Sequence, residues 1–589
     1  MELVPARVEV VVAGAGGRDR VAHSALLRRG PIRVGPLEVD VEVGDEGGTS
    51  WSVANRADAT VRVRAVAVVF DVVDAPGPLR MFRHGYQSWS HTGVAVFGVD
   101  RDPSRATGSL RMVRGVHHAD ADVTRPEELR SEWVTVLQSD GEPPELVGFD
   151  GGDRHDGTFR LRDGDAGSPE LWAEAFLGGA ALAPGEARRL HRVLRERGQE
   201  VGSAPELLES WASAVGASAG ARVTAPYQVG WCSWYHYFHD VREADLRANL
   251  ALADDWPFDV FQLDDGFQAA IGDWLQTNER FPSTVDELAT AIVSEGRTPG
   301  LWIAPFLAAP NSEIATRHPD WLARTPDGEP LPGMFNPPWG GGRDGFMWAL
   351  DTTHPEVAEH LERTARSLVD AGYRYLKLDF TFAPSFEGVW HDPAATPAQR
   401  VRRGYDAVRR GTGEDVFLLG CGVPLSNVVG VVDANRIGPD VAPSWDREAD
   451  RDGLVGYEDT LPSTRQALHA TCARSFQHRR LWLNDPDCLM LRSDETDLSE
   501  AAAATWERAV ALSGGMALVS DDLALLDDRA RRRLDEVVAL GRESDAASRA
   551  GITPRCEDVL RHADACELSA VDRHLVVEPA SGRSTLERD

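Results

Sequence analysis

The chain has 589 residues, 42% hydrophobic and 26% charged, enough to bury a large core and to divide into two to four domains. Its 93 acidic residues against 62 basic ones leave a formal charge of −31, which argues against duplex nucleic acid and anionic membrane surfaces as partners. The start, MELVPARVEVVVAGAGG, shows no basic segment, long apolar run or cleavage signature, and no later stretch reaches transmembrane length. Six cysteines (Cys232, Cys421, Cys472, Cys488, Cys556, Cys566) form no CxxC pair. A cytoplasmic protein with free thiols is therefore expected.

In chain order, residues 1–203 come first. Short alternating runs such as TVRVRAVAVVFDVV (60–73) and PELVGFDGG (144–152) are broken there by Gly, Pro and Asp, and predict an antiparallel β-sandwich. The run VVVAGAGGRD (10–19) hints at a dinucleotide loop. Asp19 stands where the third glycine belongs and no helix follows, so a hairpin turn is expected. A helical segment, APELLESWASAVGAS (204–218), opens a linker over 204–226.

From 227 to 545 the pattern changes to short apolar runs alternating with amphipathic helices. The strand candidates are YQVGWCSW (227–234), FDVFQLDDGF (258–267), TPGLWIAPF (298–306), YRYLKLDF (373–380), DVFLLGCG (415–422), VDANRIGPD (432–440), LWLNDPDCLM (481–490) and GGMALVSDD (514–522). PEVAEHLERTARSLVDAG (355–372) and TRQALHATCARSFQHRR (464–480) are among the helices between them, while the fifth and sixth strands are separated by no clear helix. Eight such units predict a closed (β/α)8 barrel. After DDRARRRLDEVVALGRES (527–544) the tail 546–589, with RHLVVEP (573–579), predicts a short C-terminal β region. The fold class is α/β multidomain.

In such a barrel the active site lies at the C-terminal strand ends. Here those ends carry Asp264 and Asp265, Lys377 and Asp379, Arg436 and Asp440, then Asn484, Asp485 and Asp487, then Asp521 and Asp522. Trp231, Trp234 and Trp302 lie on strands one and three, so the mouth is expected to hold several indoles. Carboxylates that accept from vicinal hydroxyls, with indoles to cover a ring face, suit a sugar. Two facing carboxylates about 5–5.5 Å apart perform retaining glycoside hydrolysis. Lys377 is the single lysine in the chain and stands two residues before Asp379, so the two share a strand face. An ammonium there favours an attacking carboxylate. The residues alone leave Asp440, Asp487, Asp521 and Asp522 in competition for the role of acid. His236 with His239, and His117 with His118, lack a third ligand, so no metal site is expected.

With these residues in place, the chain resembles the α-galactosidases of glycoside hydrolase family 36, the melibiase group, over about residues 80–525. The motifs run in order: GYQSWS (85–90), GWCSWYHYF (230–238), QLDDGFQAAIGDW (262–274), GLWIAPFLAAPNS (300–312), LDTTHPEV (350–357), YLKLDFTF (375–382), NRIGPDVAPSW (435–445) and NDPDCLMLR (484–492). The resemblance implies an N-terminal β-supersandwich, a (β/α)8 barrel and a C-terminal β-sandwich. It implies Asp379 as nucleophile and Asp440 as acid/base. Trp89, Trp234, Asp264, Asp265, Trp302, Lys377, Cys421 and Arg436 become sugar-site residues, with Trp89 lent by the N-terminal domain. Leu378, Phe380, Thr381 and Phe306 depart from the family's usual residues, and the C-terminal domain is abbreviated.

The function so implied is retaining exo-hydrolysis of an α-galactoside oligosaccharide, with no cofactor or metal. An α-N-acetylgalactosaminidase, a transgalactosylase like the raffinose synthases, or a non-catalytic sugar-binding protein stay open on the same scaffold. So do the leaving group, whether glucose or sucrose, and homo-oligomer formation.

Overall fold

The computed structural model describes all residues except 14–19, 29, 45–47, 101–110, 123–127, 165–166, 340–344, 447–461, 562–565 and 589. Two antiparallel sheets form the N-terminal region. The first runs Arg20–Leu26, Glu2–Ala13, Val61–Val73, Pro169–Leu182, Asp156–Asp163 and Leu129–Glu132; the second has nine strands between the edges Ile32–Val34 and Gly93–Val96. Alternation in Val61–Val73 sends Val66, Val68, Phe70 and Val72 into the core between the sheets. There Phe159 of the first sheet meets Phe149 of the second at 5.0 Å. The reverse face is covered too: Ala67 and Val69 cluster with Trp172, and buried Arg64 pairs with Asp120 and Glu387. The strands on either side of the glycine-rich run, Glu2–Ala13 and Arg20–Leu26, pair antiparallel, and the expected turn at 14–19 lies outside the described residues.

The linker helix is Ala204–Ala219, opened by Pro205 in its first turn and stopped by left-handed Gly220. All eight predicted barrel strands follow: β1 (Gln228–Cys232), β2 (Val260–Leu263), β3 (Thr298–Ile303), β4 (Tyr375–Leu378), β5 (Phe417–Gly420), β6 (Ala434–Arg436), β7 (Leu483–Asp485) and β8 (Met516–Val519). They pair in parallel in the order β7-β6-β5-β4-β3-β2-β1-β8. The seam between β7 and β8 is closed by Leu489, whose N–H donates to Leu518 O at 2.7 Å and whose carbonyl accepts from Ser520 N at 2.9 Å.

Covering helices form where the pattern placed them. Pro355–Asp370 starts on a capping His354 and buries Val357, Leu361, Ala365 and Leu368, a stripe of helical period. Pro397–Thr412 starts on a Thr396–Gln399 capping box. Between β5 and β6 a single 3₁₀ turn, Leu425–Asn427, replaces a helix. Between β3 and β4 lies a small sheet of Leu307–Ala308, Phe346–Ala349 and Pro332–Phe335, which no sequence pattern announced.

The C-terminal region is a four-stranded antiparallel sheet, Arg555–Cys556, Glu567–Ala570, Arg573–Glu578 and Arg583–Arg588, so RHLVVEP is one strand of a larger element. It leans on helix Glu500–Ser513, where the Thr505 hydroxyl donates to Gly582 O at 2.8 Å. Among the described residues no helix is long and apolar enough to cross a membrane.

Candidate active site

Register decides which side chains meet at the barrel mouth. Trp302 on β3 lies beside Lys377 on β4, and Cys232 on β1 lies beside Gln262 on β2. Lys377 is buried, with Nζ 3.0 Å from Asp264 Oδ2 and 3.7 Å from Asp379 Oδ2. Burial alone would lower the ammonium. Asp264 and then Asp379 reverse that and hold it well above the ordinary lysine range. Asp264 Oδ2 also accepts from Gln262 Nε2 at 2.5 Å and from the Cys232 thiol at 3.6 Å. Asp379 accepts the Trp302 indole N–H at 3.0 Å and the Phe380 backbone N–H at 2.7 Å.

Arg436 organises the opposite side. Its Nε donates to Asp485 Oδ2 at 2.9 Å, Nη2 lies 2.8 Å from Asp487 Oδ1, and Nη1 lies 3.4 Å from Asp440 Oδ1. A third of the Asp440 side chain faces the mouth (34% exposed). The groups crowded behind it still withdraw it from bulk water. That burial, and then the Asp487 charge, pushes its carboxyl up to about 7. Lys377 and Asp379 both lie within electrostatic reach of it.

The other acidic candidates are tied up. Asp487 accepts from the Tyr235 hydroxyl, from Val441 N at 3.0 Å and from Cys488 N at 2.7 Å, besides its Arg436 pair. Asp521 accepts from Leu491 N at 2.5 Å and Arg492 Nη1 at 2.6 Å. Asp522 caps the short helix Leu523–Leu525. Two non-glycine residues with positive φ flank the site, Phe380 (50°) and Asp487 (93°), a backbone state uncommon for residues with a side chain.

The indoles are arranged differently from the expectation. Trp231 is not at the mouth. Cys232 faces inward, so its neighbour must face outward; Trp231 stacks on Phe261 at 4.3 Å and donates to Asp521 O at 2.8 Å. Trp234 heads the turn after β1 and meets Phe238 edge-on at 5.3 Å, a rim contact. Trp302 and Trp89 do reach the cluster. Phe380, directly after Asp379, lies 5.1 Å from Trp89, 5.0 Å from Trp339 and 6.5 Å from Trp302.

Trp339, unmarked by any motif, arrives on the 3₁₀ turn Pro337–Trp339 beside the small sheet and donates its indole N–H to Asp265 Oδ2 at 2.5 Å. Gln268 donates to Oδ1 of the same carboxyl at 2.6 Å. Burial pushes Asp265 up to about 6 against both donors, and the Asp264 charge adds to the rise. Gln262 could have been found, since it precedes Asp264 by two on one strand face. Cys421, just beyond β5, is buried. That burial, and then the Asp379 charge, keeps it a neutral thiol. Of the departures from the family pattern, Phe306 and Leu378 are core residues, Phe306 packing 5.5 Å from Tyr405. Among the described residues no group of three or more His, Cys, Asp or Glu is placed to hold a metal ion.

A family model described as Melibiase matches residues 228–381, from β1 to just past β4. α-Galactosidase AgaA of Geobacillus stearothermophilus is 27% identical over 155 residues, 25% of this chain, and the match spans about a fifth (20%) of its length. The crystal structure of AgaA shares the fold, with a TM-score of 0.57 at 12% identity over 95% of this chain and 71% of that one. TtGalA, an α-galactosidase from Thermus thermophilus solved with p-nitrophenyl α-D-galactopyranoside, has a TM-score of 0.68 and 26% identity, covering 94% of this chain and 100% of that one. The family match falls on the strands that carry Asp264, Trp302, Lys377 and Asp379, and the structural match runs the full length of TtGalA. Over residues 228–381 the chain thus matches the melibiase family model, and over nearly its whole length it is similar to the α-galactosidase TtGalA.

Proposed function

We propose that the chain is a retaining exo-α-galactosidase acting on oligosaccharides that end in α-linked galactose. The observation that carries this reading is the unlike setting of two carboxyls in one mouth. Asp379 has an ammonium and an indole N–H beside it, while Asp440 is part-exposed and pushed up to about 7.

The steps follow. An Asp379 oxygen bonds to the anomeric carbon as the bond to the leaving oxygen breaks, and Asp440 gives that oxygen its proton. A β-linked galactosyl ester results. Asp440, now a carboxylate, takes a proton from water; the water oxygen bonds to the anomeric carbon, the ester bond breaks, and α-galactose leaves. Asp264 and Asp265 offer acceptors to the outer ring hydroxyls. The sandwich, taken as 1–203, lends Trp89 to a barrel taken as 227–545. Six buried thiols favour a reducing, cytoplasmic setting.

Purified protein is expected to cleave aryl α-galactoside in preference to its α-N-acetylgalactosaminide and to transfer little galactose to sucrose. Proton NMR during the first turnovers should show α-galactose before mutarotation; β-galactose as first product would exclude retention. A pH profile adds a second check. Asp440 must be protonated to assist departure, and its carboxyl lies above the ordinary range, so kcat/KM should fall as pH rises through about 7. A flat profile from pH 6 to 9 would remove Asp440 from the role of acid.

A further inference from the structure

We propose that Arg474 is a positioning residue that fixes the loop of residues 85–90, and with it Trp89, against the barrel mouth. Arg474 follows the helix Thr464–Ala473 and is fully buried. Its guanidinium is bonded to carbonyls rather than to a carboxylate. Nη1 donates to Ser88 O at 2.8 Å and to Ile437 O at 2.5 Å; Nη2 donates to Gln87 O at 3.0 Å and Ser90 O at 2.9 Å. One side chain thus joins three carbonyls of an N-terminal loop to the residue after Arg436, three before Asp440.

The fit is close on both sides. A Cβ on Gly85 would lie 2.5 Å from Ser90 O and 2.7 Å from Arg474 Nη2, so the loop closes around the guanidinium only with glycine there. On the far side Gly422 N donates to Ser88 Oγ at 3.3 Å, and a Cβ on Gly422 would lie 2.8 Å from the Trp89 ring. Trp89 is then held against Phe380, whose own N–H donates to Asp379. Burial without a carboxylate pulls the guanidinium down to about 9, the mark of a cation that is expensive to keep there. An apolar side chain would fill the same space more cheaply but could not select one loop conformation through four directed N–H groups.

The kinetic arm of the test rests on the α-galactosidase reading; a second arm does not. Arg474→Lys keeps the charge but loses the planar fork. It should raise KM for an aryl α-galactoside about tenfold while moving kcat less than about threefold, the pattern of lost binding. Trp89→Ala should behave alike, and the double variant should be no worse than Trp89→Ala alone, because both lesions remove one interaction. Gly422→Ala pushes the same indole from the other side with Arg474 intact, though at φ +55° it also strains the backbone, and should reproduce the KM rise even if Arg474→Lys folds poorly.

Arg409→Lys is the structural control. Arg409 is another buried arginine, donating to Val431 O and Val416 O just ahead of β6 and β5, at the end of the barrel away from the mouth. It should lower the melting temperature and leave KM alone. Independently of activity, hydrogen–deuterium exchange of the 85–90 segment should speed up in Arg474→Lys. Wild-type KM in Arg474→Lys or Gly422→Ala, effects that multiply in the double variant, or unchanged exchange at 85–90 would each overturn the proposal. A wild-type protein that cleaves no α-galactoside would instead overturn the enzymatic reading and leave the exchange result to decide the role of Arg474.

Discussion

Asp379→Ala should abolish aryl α-galactoside cleavage, with a loss of about four to six orders of magnitude in kcat, because in the proposed mechanism Asp379 forms the covalent bond. The cavity left by the carboxylate makes the assignment sharper than the loss itself. Azide can enter that space, attack the anomeric carbon from the face Asp379 used, and release β-galactosyl azide, restoring turnover through a single inversion. Asp440→Ala should answer differently. An aryl leaving group needs little protonation, so the ester still forms, and azide then attacks it from the opposite face to give α-galactosyl azide. Opposite azide anomers from the two variants would fix both roles in one experiment. Near wild-type cleavage by Asp379→Ala would sink the mechanism.

Lys377→Arg, a mild exchange anywhere else in a chain with 61 arginines, should cost about 100-fold or more in kcat/KM. The ammonium is 7% exposed and wedged between Asp264 at 3.0 Å and Asp379 at 3.7 Å. A guanidinium is longer and flat, so it must either displace Gln262 and Trp302 or turn away from one carboxylate. Overfilling a packed site costs about 1–3 kcal/mol by itself, and an ångström of misplacement at the reacting carboxylate costs roughly a further 100-fold in rate. Lys377→Arg with wild-type kinetics would return the solitary lysine to an accident of codon usage.

Much of this site could be read before the structure because it depends on local rules. A strand's period of two put Lys377 and Asp379 on one face, and eight strand-helix units put their ends at one mouth. The same rule, applied to Cys232 and Trp231, would have sent that indole outward; identity alone had suggested otherwise. What stayed hidden depends on contacts between distant segments. The Lys377–Asp264 pair needs the register of three neighbouring strands. The reach of Trp339 to Asp265 needs an insertion whose own sheet has strands of two to four residues, too short to show periodicity. Arg474 was invisible for a different reason: its partners are backbone carbonyls, which every residue carries, so no residue type marks them. The choice of Asp440 over Asp487 and Asp521 likewise rests on which carboxyls have their lone pairs already taken.

The absent helix between β5 and β6 carries a consequence for modularity. Where other units of the barrel bring their own cover, this one is covered by the sandwich. Leu425 N donates to Tyr86 O at 3.0 Å, and the Asn427 amide donates to Gly152 O at 2.8 Å and Asp156 Oδ1 at 3.0 Å. Contact there is tight enough that a side chain on Gly152 would strike Ser426. The N-terminal domain is therefore an outer wall of the barrel as well as the bearer of Trp89. A barrel cut away from residues 1–203 should thus be left with this side of its core uncovered.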